Sequence, residues 1–282
     1  MSRRDLFARL ANHAASEAVL RDALYALRDA GVEVMPLKGV LLRRLVYDDP
    51  AERPVGDVDL LVRGRDVRRA HEALDAAGFE PIFLEPMERE RSFRHRRLGL
   101  LVDLHWQLFY DDYFDFDAEG LFARATWDEA GFVAPVWRMA PLDLYAHVLV
   151  HAGFTAWVQP VPRLYDIARI VARLHIDPVE AARHLTRCGM GAFARYALRL
   201  AAREGDGAHA GEVLAALGED PLRDLAARAV LASVPWLRAR PYLAYAPRRM
   251  LYRSGEEVAA NAAELAVRGG RWARRGLSAR GG

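Results

Sequence analysis

The sequence has a single cysteine and no long apolar run. With only Cys188 among its 282 residues, no disulfide can form within the chain, and a zinc site built from cysteines is excluded. No stretch reaches the 18 apolar residues that suggest a membrane-spanning helix, and the first residues lack the apolar segment of a secretion signal. The lack of both segments leads us to expect a cytoplasmic protein with no membrane partner, and the hydrophobic content of 52% is typical of a globular one.

Lysine is nearly absent as well. The chain has 40 basic and 38 acidic residues, so its net charge argues neither for nor against nucleic acid as a partner. All of these basic residues except Lys38 are arginines. Lysine is a compact point charge on a flexible stem, whereas arginine is a planar fork, so the two differ beside a phosphate. Lys38 is therefore either an accident of composition or a position that requires a small cation.

The hydrophobic pattern predicts an α+β fold. In the first part of the chain short apolar runs alternate with amphipathic segments, which predicts a small mixed β-sheet flanked by helices. From Pro141 onward the chain is predicted to be mostly α-helical, with helices over 142–153, 163–174, 178–187, 190–203, 210–217, 221–233 and 255–268. The predicted domains are an α+β domain over 1–140, a helical domain over 141–268 and a disordered tail, rich in arginine and glycine, over 269–282.

Strand and helix signals follow one another closely in the first of these domains. Asp66 is expected to cap a helix that ends before Gly78. The charged stretch 85–97 is expected to be a connection without regular structure. The predicted elements are helices over 16–30 and 66–77, strands over 32–37, 58–62, 79–84 and 98–108, and one further short strand over 135–139.

Three aspartates lie inside predicted strands. Asp57 and Asp59 are two residues apart, so their side chains share one face of the strand at a spacing of about 7 Å. Asp103 lies in a second apolar strand, where an unpaired charge is costly. If the strands are neighbours, the three carboxylates form a site for Mg²⁺ or Mn²⁺, and Asp103 can also accept a proton. The alternative for Asp57 and Asp59 is a strand-end pair that faces water or bonds to an arginine such as Arg53.

Lys38 and Gly39 lie where a predicted strand passes into a helix. A glycine at such a turn lets phosphate oxygens approach the backbone N–H groups, and the beginning of a helix favours negative charge. The side chain of Lys38 can reach the β- or γ-phosphate of a nucleotide. We therefore predict that Lys38, Gly39 and Arg53 bind the nucleotide.

Six short stretches of the chain carry a resemblance to a known family. They are Leu37–Gly39, Arg53–Val62, Ala77–Phe79, Val102–Trp106, His147–His151 and Arg163–Ile167. In these motifs the chain resembles the bacterial uncharacterised nucleotidyltransferase family, within the superfamily that includes DNA polymerase β. The resemblance implies a nucleotidyltransferase core, a need for Mg²⁺, an NTP donor such as ATP, and transfer of a nucleoside monophosphate to an acceptor hydroxyl. It assigns the catalytic and metal-binding roles to Asp57, Asp59 and Asp103.

Further residues are candidate substrate contacts. His105 shares a face with Asp103 and either contacts substrate or is a hydrogen-bonded neighbour of the site. His147 and His151 share one helix face, where a packed or substrate-facing pair is favoured over a zinc site. Arg163 and Asp166 are either a pair that closes the cleft or a solvated ion pair of little energetic weight.

Two alternatives to a nucleotidyltransferase stay open. One is a nucleotide-binding protein with little turnover. The other is an RNA-binding accessory protein that uses the basic C-terminal region, which has ten arginines from Arg238 onward. An ordinary arginine-rich helix edge is favoured for that region, so nucleic acid is not the favoured partner. The acceptor, whether a small molecule, a peptide or a protein, and the oligomeric state are not determined by these patterns.

Overall fold

The structure, a computed structural model, describes residues 2–82, 89–109, 114–156, 164–204 and 207–238, and the chain divides into two compact units. The first unit comprises 1–112, 116–145 and 169–176, and the second comprises 113–115, 146–168 and 177–282. The predicted helix over 255–268, the tail over 269–282 and the basic region after Arg238 lie outside the described residues. The predicted domain boundary after residue 140 stays a prediction.

A five-stranded mixed sheet forms the centre of the first unit. Its strands are β1 (Val34–Pro36), β2 (Asp57–Val62), β3 (Phe79–Ile82), β4 (Glu90–His95) and β5 (Leu101–His105). They lie in the order β1–β2–β5–β4–β3, with β2 and β5 parallel and all other neighbours antiparallel. Because β2 and β5 are interior strands, most of their side chains are apolar and buried. The predicted α+β class with a small mixed sheet is confirmed.

Strand β4 shows that the predicted connection over 85–97 is wrong for Glu90–His95. Phe93 and His95 are buried, whereas Arg91 and Arg94 are exposed. Arg91 lies on the same face as Phe93 and His95, and Arg94 lies on the opposite face with the half-buried Glu90 and Ser92, so the exposed charges stand on both faces of the strand. The charges alone therefore indicated a connection, although Phe93 and His95, two residues apart, share a buried side of the strand.

Three helices complete the frame of this sheet: α1 (Arg3–Asp29), α2 (Lys38–Leu45) and α3 (Val67–Ala76). Helix α1 begins much earlier than predicted, because Ser2 and Asp5 form a reciprocal capping box at its start. It packs against α3 and β2 through buried apolar side chains. The side chain of Asp66 makes no capping hydrogen bond to α3; it forms an ion pair with Arg69 instead.

Helix α2 is tied to α1 by a buried charge network. The Arg43 side chain is fully buried and donates to the Ser16 hydroxyl at 2.7 Å. Glu17 pairs with both Arg43 and Arg44. A buried guanidinium is costly unless it is paired and hydrogen-bonded, so these contacts fix α2 against α1.

The first unit also contains α4 (Ala118–Arg124) and a two-stranded hairpin of β6 (Thr126–Asp128) and β7 (Val136–Arg138). Strand β7 confirms the short strand predicted over 135–139. Its partner β6 was not predicted, and it pairs through Trp127 against Trp137, whose ring centroids are 5.1 Å apart.

The second unit is helical, as predicted for the C-terminal part of the chain. Its helices are α5 (Pro141–Thr155, which begins in the first unit), α6 (Leu164–Leu174, which ends there), α7 (Pro178–Arg187), α8 (Gly191–Glu204), α9 (Gly207–Ala216) and α10 (Pro221–Arg238). Helix α8 packs against α9 and α10, and α7 packs against α9. No helix in the described ranges has the length and apolar character to cross a membrane.

Candidate active site

The three predicted aspartates converge on one face of the central strand pair. Asp59 in β2 lies directly opposite Asp103 in the parallel strand β5, and Asp57 precedes Asp59 by two residues on the same face. One carboxylate oxygen from each side chain lies within 4.8 Å of the other two. Asp59 is buried, whereas Asp57 and Asp103 are partly exposed. The structure therefore brings together all three residues of the predicted cluster.

Lys38, the first residue of α2, reaches this cluster. Its Nζ lies 2.6 Å from Asp59 Oδ1, and its side chain is 21% exposed. The backbone places it there, because the Leu37 N–H donates to the Asp59 carbonyl oxygen at 2.9 Å. Lys38 has a φ of +42°. This backbone conformation is uncommon for residues other than glycine, and where it occurs it is often at a functional site. The contact that the structure shows for Lys38 is thus with a carboxylate, and its predicted contact with a phosphate stays a prediction.

His105 is hydrogen-bonded on both ring nitrogens. Its Nε2 lies 3.0 Å from Asp59 Oδ1, and its Nδ1 lies 2.8 Å from Glu90 Oε2. Glu90 lies opposite His105 across the β4–β5 pair, so the register of the sheet creates this chain of three side chains. His105 is buried and serves as a hydrogen-bonded neighbour of the cluster; a direct contact with substrate stays a prediction.

Glu90 and Ser92 are site residues that the sequence did not predict. The Ser92 hydroxyl donates to Asp103 Oδ1 at 2.6 Å, from the position directly opposite Asp103. Both residues lie in the stretch predicted to be irregular. The signal that could have found them is the alternation along β4, which places Glu90 and Ser92 on one face and Phe93 on the other.

The charges of the site shift one another's pKa values. Burial alone would raise the pKa of Asp59, but Lys38 and His105 outweigh it and hold that pKa far below its usual range. Burial alone would lower the pKa of Lys38 and of His105, yet their bonds to Asp59 raise both above their ordinary values. The hydrogen bond from His105 lowers the pKa of Glu90. Asp59 is therefore an ionised carboxylate whose charge is compensated by the protein.

Asp103 behaves in the opposite way. Burial raises its pKa, the hydrogen bond from Ser92 opposes that rise, and the negative charge of Asp59 adds to it. No cationic side chain is paired with Asp103 among the described residues. The negative charge of the cluster is thus compensated at Asp59 but not at Asp103.

Gly39 has a clear packing reason. A Cβ atom at this position would lie 2.4 Å from Cγ1 of Val55, which is far closer than real side chains approach. Val55 is fixed in turn, because Asn12 bonds both to its N–H, at 3.0 Å, and to its carbonyl oxygen, at 2.8 Å. Arg53 is partly exposed and lies beside this turn, with Nη1 3.9 Å from the same Cβ position. The nucleotide contacts predicted for Gly39 and Arg53 stay predictions.

The other candidate residues belong to the second unit. His147 and His151 share a face of α5, with ring centroids 6.4 Å apart, and His147 is buried. Asp166 is buried in the first turn of α6, and Arg163 lies outside the described residues. Their predicted contacts with substrate stay predictions.

The chemistry of the donor set fits a hard divalent cation. The converging donor atoms are all carboxylate oxygens, which Mg²⁺ and Mn²⁺ prefer to nitrogen or sulfur. Mg²⁺ in particular is bound by one or two carboxylates together with substrate phosphates, and two of the three aspartates are open to solvent.

The small mixed sheet, with three aspartates converging on its central parallel strands, agrees with the core that the family resemblance implied. The chain belongs to the family described as uncharacterised nucleotidyltransferase, which matches residues 2–204. This match confirms the family resemblance predicted from the motifs.

Several solved structures are similar to the chain at low sequence identity. The crystal structure of ANT(2")-Ia in complex with adenylyl-2"-tobramycin is 16% identical, covers 61% of this chain and 98% of that chain, and has a TM-score of 0.47. The lincomycin-bound lincosamide antibiotic adenylyltransferase LnuA is 14% identical over 60% of this chain and 96% of that chain, with a TM-score of 0.36. An antigenic nucleotidyltransferase-like protein from Paracoccidioides brasiliensis is 16% identical over 67% of this chain and 92% of that chain, with a TM-score of 0.39. No curated protein sequence matches the chain.

Proposed function

We propose that the protein is an Mg²⁺-dependent nucleotidyltransferase that moves a nucleoside monophosphate from an NTP to an acceptor hydroxyl. The convergence of Asp57, Asp59 and Asp103 within 4.8 Å carries the proposal, in a chain of this family. ATP is the donor we expect, and the acceptor is the hydroxyl of a small molecule, a peptide or a protein.

In this proposal the three aspartates hold the cation, with Mn²⁺ as a substitute for Mg²⁺. Bound there, a divalent cation would offset the charge of the triphosphate and the charge that develops on the reacting phosphoryl group. Asp103, which is partly exposed, accepts the proton of the acceptor hydroxyl. The hydroxyl oxygen then bonds to the α-phosphorus, the bond from this phosphorus to the oxygen that bridges it to the β-phosphate breaks, and pyrophosphate leaves.

Lys38 is proposed to bind the β- or γ-phosphate of the donor. Its ammonium lies at the cluster and is partly exposed, so a phosphate that approaches the carboxylates from solvent meets it. Arg53, beside the same turn, is proposed as a second cationic contact. The flexible stem of Lys38 lets its single charge turn from Asp59 to a phosphate, which the planar fork of an arginine would do less readily.

The proposal is tested by binding, because binding does not require the acceptor. Isothermal titration with ATP in MgCl₂ would compare the wild type with Asp57→Asn and Asp103→Asn, which keep the side-chain volume and remove one charge. Asp29→Asn, at an exposed carboxylate outside the site, is the matched control. We expect affinity to fall at least about tenfold in the two site variants only, as for the loss of a charged ligand contact. Equal affinity in all four proteins would contradict the proposed site.

Turnover is tested separately by intact-mass screening of candidate acceptors with each of the four NTPs. An increase in the mass of an acceptor by one nucleoside monophosphate, seen only with Mg²⁺ and with Asp103 present, supports the nucleotidyltransferase activity. Binding of NTP without any transfer would favour the nucleotide-binding alternative. RNA binding that is steeply salt-dependent and lost on removal of 238–282 would favour the accessory-protein alternative.

A further inference from the structure

Strand β4 presents two polar side chains to the face of the sheet that carries the aspartates. Glu90 and Ser92 are two residues apart and therefore point to the same side. The register places Glu90 opposite His105 and Ser92 opposite Asp103. Each of them is hydrogen-bonded to the residue that it faces.

Ser92 occupies one oxygen of Asp103. The hydroxyl donates to Oδ1 at 2.6 Å, a short bond of the kind that a charged acceptor makes. Within the described ranges, no other side chain donates to this carboxylate. Ser92 thus restrains the rotation of the Asp103 carboxylate, and within the described ranges it leaves Oδ2 without a side-chain donor.

The Asp59 carboxylate is likewise oriented by hydrogen bonds to one of its two oxygens. Lys38 Nζ and His105 Nε2 both approach Oδ1, at 2.6 Å and 3.0 Å, and within the described part of the chain Oδ2 receives no hydrogen bond. Glu90 fixes the His105 ring through Nδ1 at 2.8 Å. The orientation of the Asp59 carboxylate therefore depends on Glu90, although Glu90 itself does not reach it.

We propose that Glu90 and Ser92 are positioning residues of the cation site: Glu90 orients Asp59 through His105, and Ser92 orients Asp103 directly. This inference rests on the proposed function, because it assumes that the aspartates hold the cation. Partners that orient metal ligands in this way commonly contribute 10–100-fold to metal affinity or activity. One strand that does not supply a ligand thus sets the direction of two carboxylates on two other strands.

The test is Mn²⁺ affinity, measured from the electron paramagnetic resonance signal of the free ion in the full chain without nucleotide. Ser92→Ala removes the hydroxyl without changing charge and is expected to weaken Mn²⁺ binding about tenfold or more, while Ser92→Thr, which keeps a hydroxyl, restores most of the affinity. Glu90→Ala is expected to weaken binding to a similar extent. Glu90→Gln loses the charge but keeps an oxygen that can accept from His105, so a positioning role predicts that glutamine restores binding. Arg94→Ala, at an exposed position on the same strand, is the control and should bind within about twofold of the wild type.

The outcomes separate this inference from the proposed function. If Asp59→Asn loses Mn²⁺ binding while Ser92→Ala and Glu90→Ala bind as the wild type does, the positioning role is refuted and the cation site stands. If Glu90→Gln is as weak as Glu90→Ala, Glu90 acts through its charge and not through orientation, which also refutes its positioning role. If the wild type and Asp59→Asn bind Mn²⁺ equally, the cation site itself is refuted. Circular dichroism of each variant verifies that the sheet is intact.

Discussion

Replacing Gly39 by alanine should destabilise the first unit through one contact. The new Cβ atom would lie 2.4 Å from Cγ1 of Val55, about 1 Å short of an ordinary carbon–carbon contact. Val55 is 4% exposed and is held by Asn12 through both its backbone groups, so it cannot move away freely. Overpacking of this kind costs about 1–3 kcal/mol. A loss of about 2 kcal/mol corresponds to a fall in Tm of roughly 4–8 °C for a unit of this size.

A double-mutant cycle measured by calorimetry tests this contact. Val55→Ala alone removes two buried carbon atoms and should cost about 1.5 kcal/mol. In the double variant the alanine methyl at position 39 occupies the space that Cγ1 leaves, so its stability should exceed the additive expectation by about 1–2 kcal/mol. Strictly additive losses would refute the packing account of Gly39.

The same double variant separates packing from nucleotide binding. If Gly39 serves only to admit Val55, removing the Val55 methyl groups relieves the clash, and the double variant binds ATP with Mg²⁺ as the wild type does. If backbone N–H groups at this turn also approach a phosphate, the stability still exceeds the additive expectation but the affinity for ATP stays low, because the methyl group still covers the turn.

Two further predictions concern single charges. Lys38→Arg keeps the charge but replaces a compact ammonium with a planar fork. We expect the affinity for ATP with Mg²⁺ or the kcat/KM to fall at least about tenfold, while Tm stays nearly unchanged. Wild-type affinity and kcat/KM in this variant would show that the lone lysine is an accident of composition. Asp224 accepts from Arg199 at 2.6 Å and from Arg195 at 3.3 Å, and these bonds outweigh burial and hold its pKa below the usual 3.8. Asp224→Asn should therefore cost the second unit about 1–2 kcal/mol at pH 7, and the difference in urea unfolding between it and the wild type should vanish as the pH falls below 3.8 through the lowered pKa. A difference that persists unchanged at low pH would contradict this role for the carboxylate.

The carboxylate cluster could be predicted because charged residues stand at alternate or interior positions of otherwise apolar strands. Asp57 and Asp59 interrupt an apolar run with a period of two, and Asp103 interrupts another, so each charge stands where burial makes it costly. The pattern could not predict which carboxylate oxygens of the cluster accept hydrogen bonds from other side chains of the protein. That depends on the registers of β4 with β5 and of β2 with β5, which only the three-dimensional pairing fixes.

Strand β4 and the start of α1 could not be predicted, because too few apolar residues mark them. Strand β4 carries three charged side chains, Glu90, Arg91 and Arg94, and its one apolar residue is Phe93, so Glu90 and Ser92 were missed with it. The start of α1 was placed too late because its first turns are exposed and lack an apolar stripe, although Ser2 and Asp5 have the spacing of a capping box. The packing contact of Gly39 could not be predicted, because its close neighbour, Val55, is sixteen positions away in the sequence.

The single lysine lets a chemical reagent report on the carboxylate cluster, because Lys38 pairs with Asp59. Lys38 is the single lysine of the sequence, so an amine-selective acylating reagent has one side-chain target, the Lys38 amine. Its ion pair with Asp59 keeps this amine protonated and slow to react, while 21% of the side chain remains open to the reagent. The mass of the intact protein then reports the fraction of molecules that are acylated at Lys38, with no label introduced by mutation.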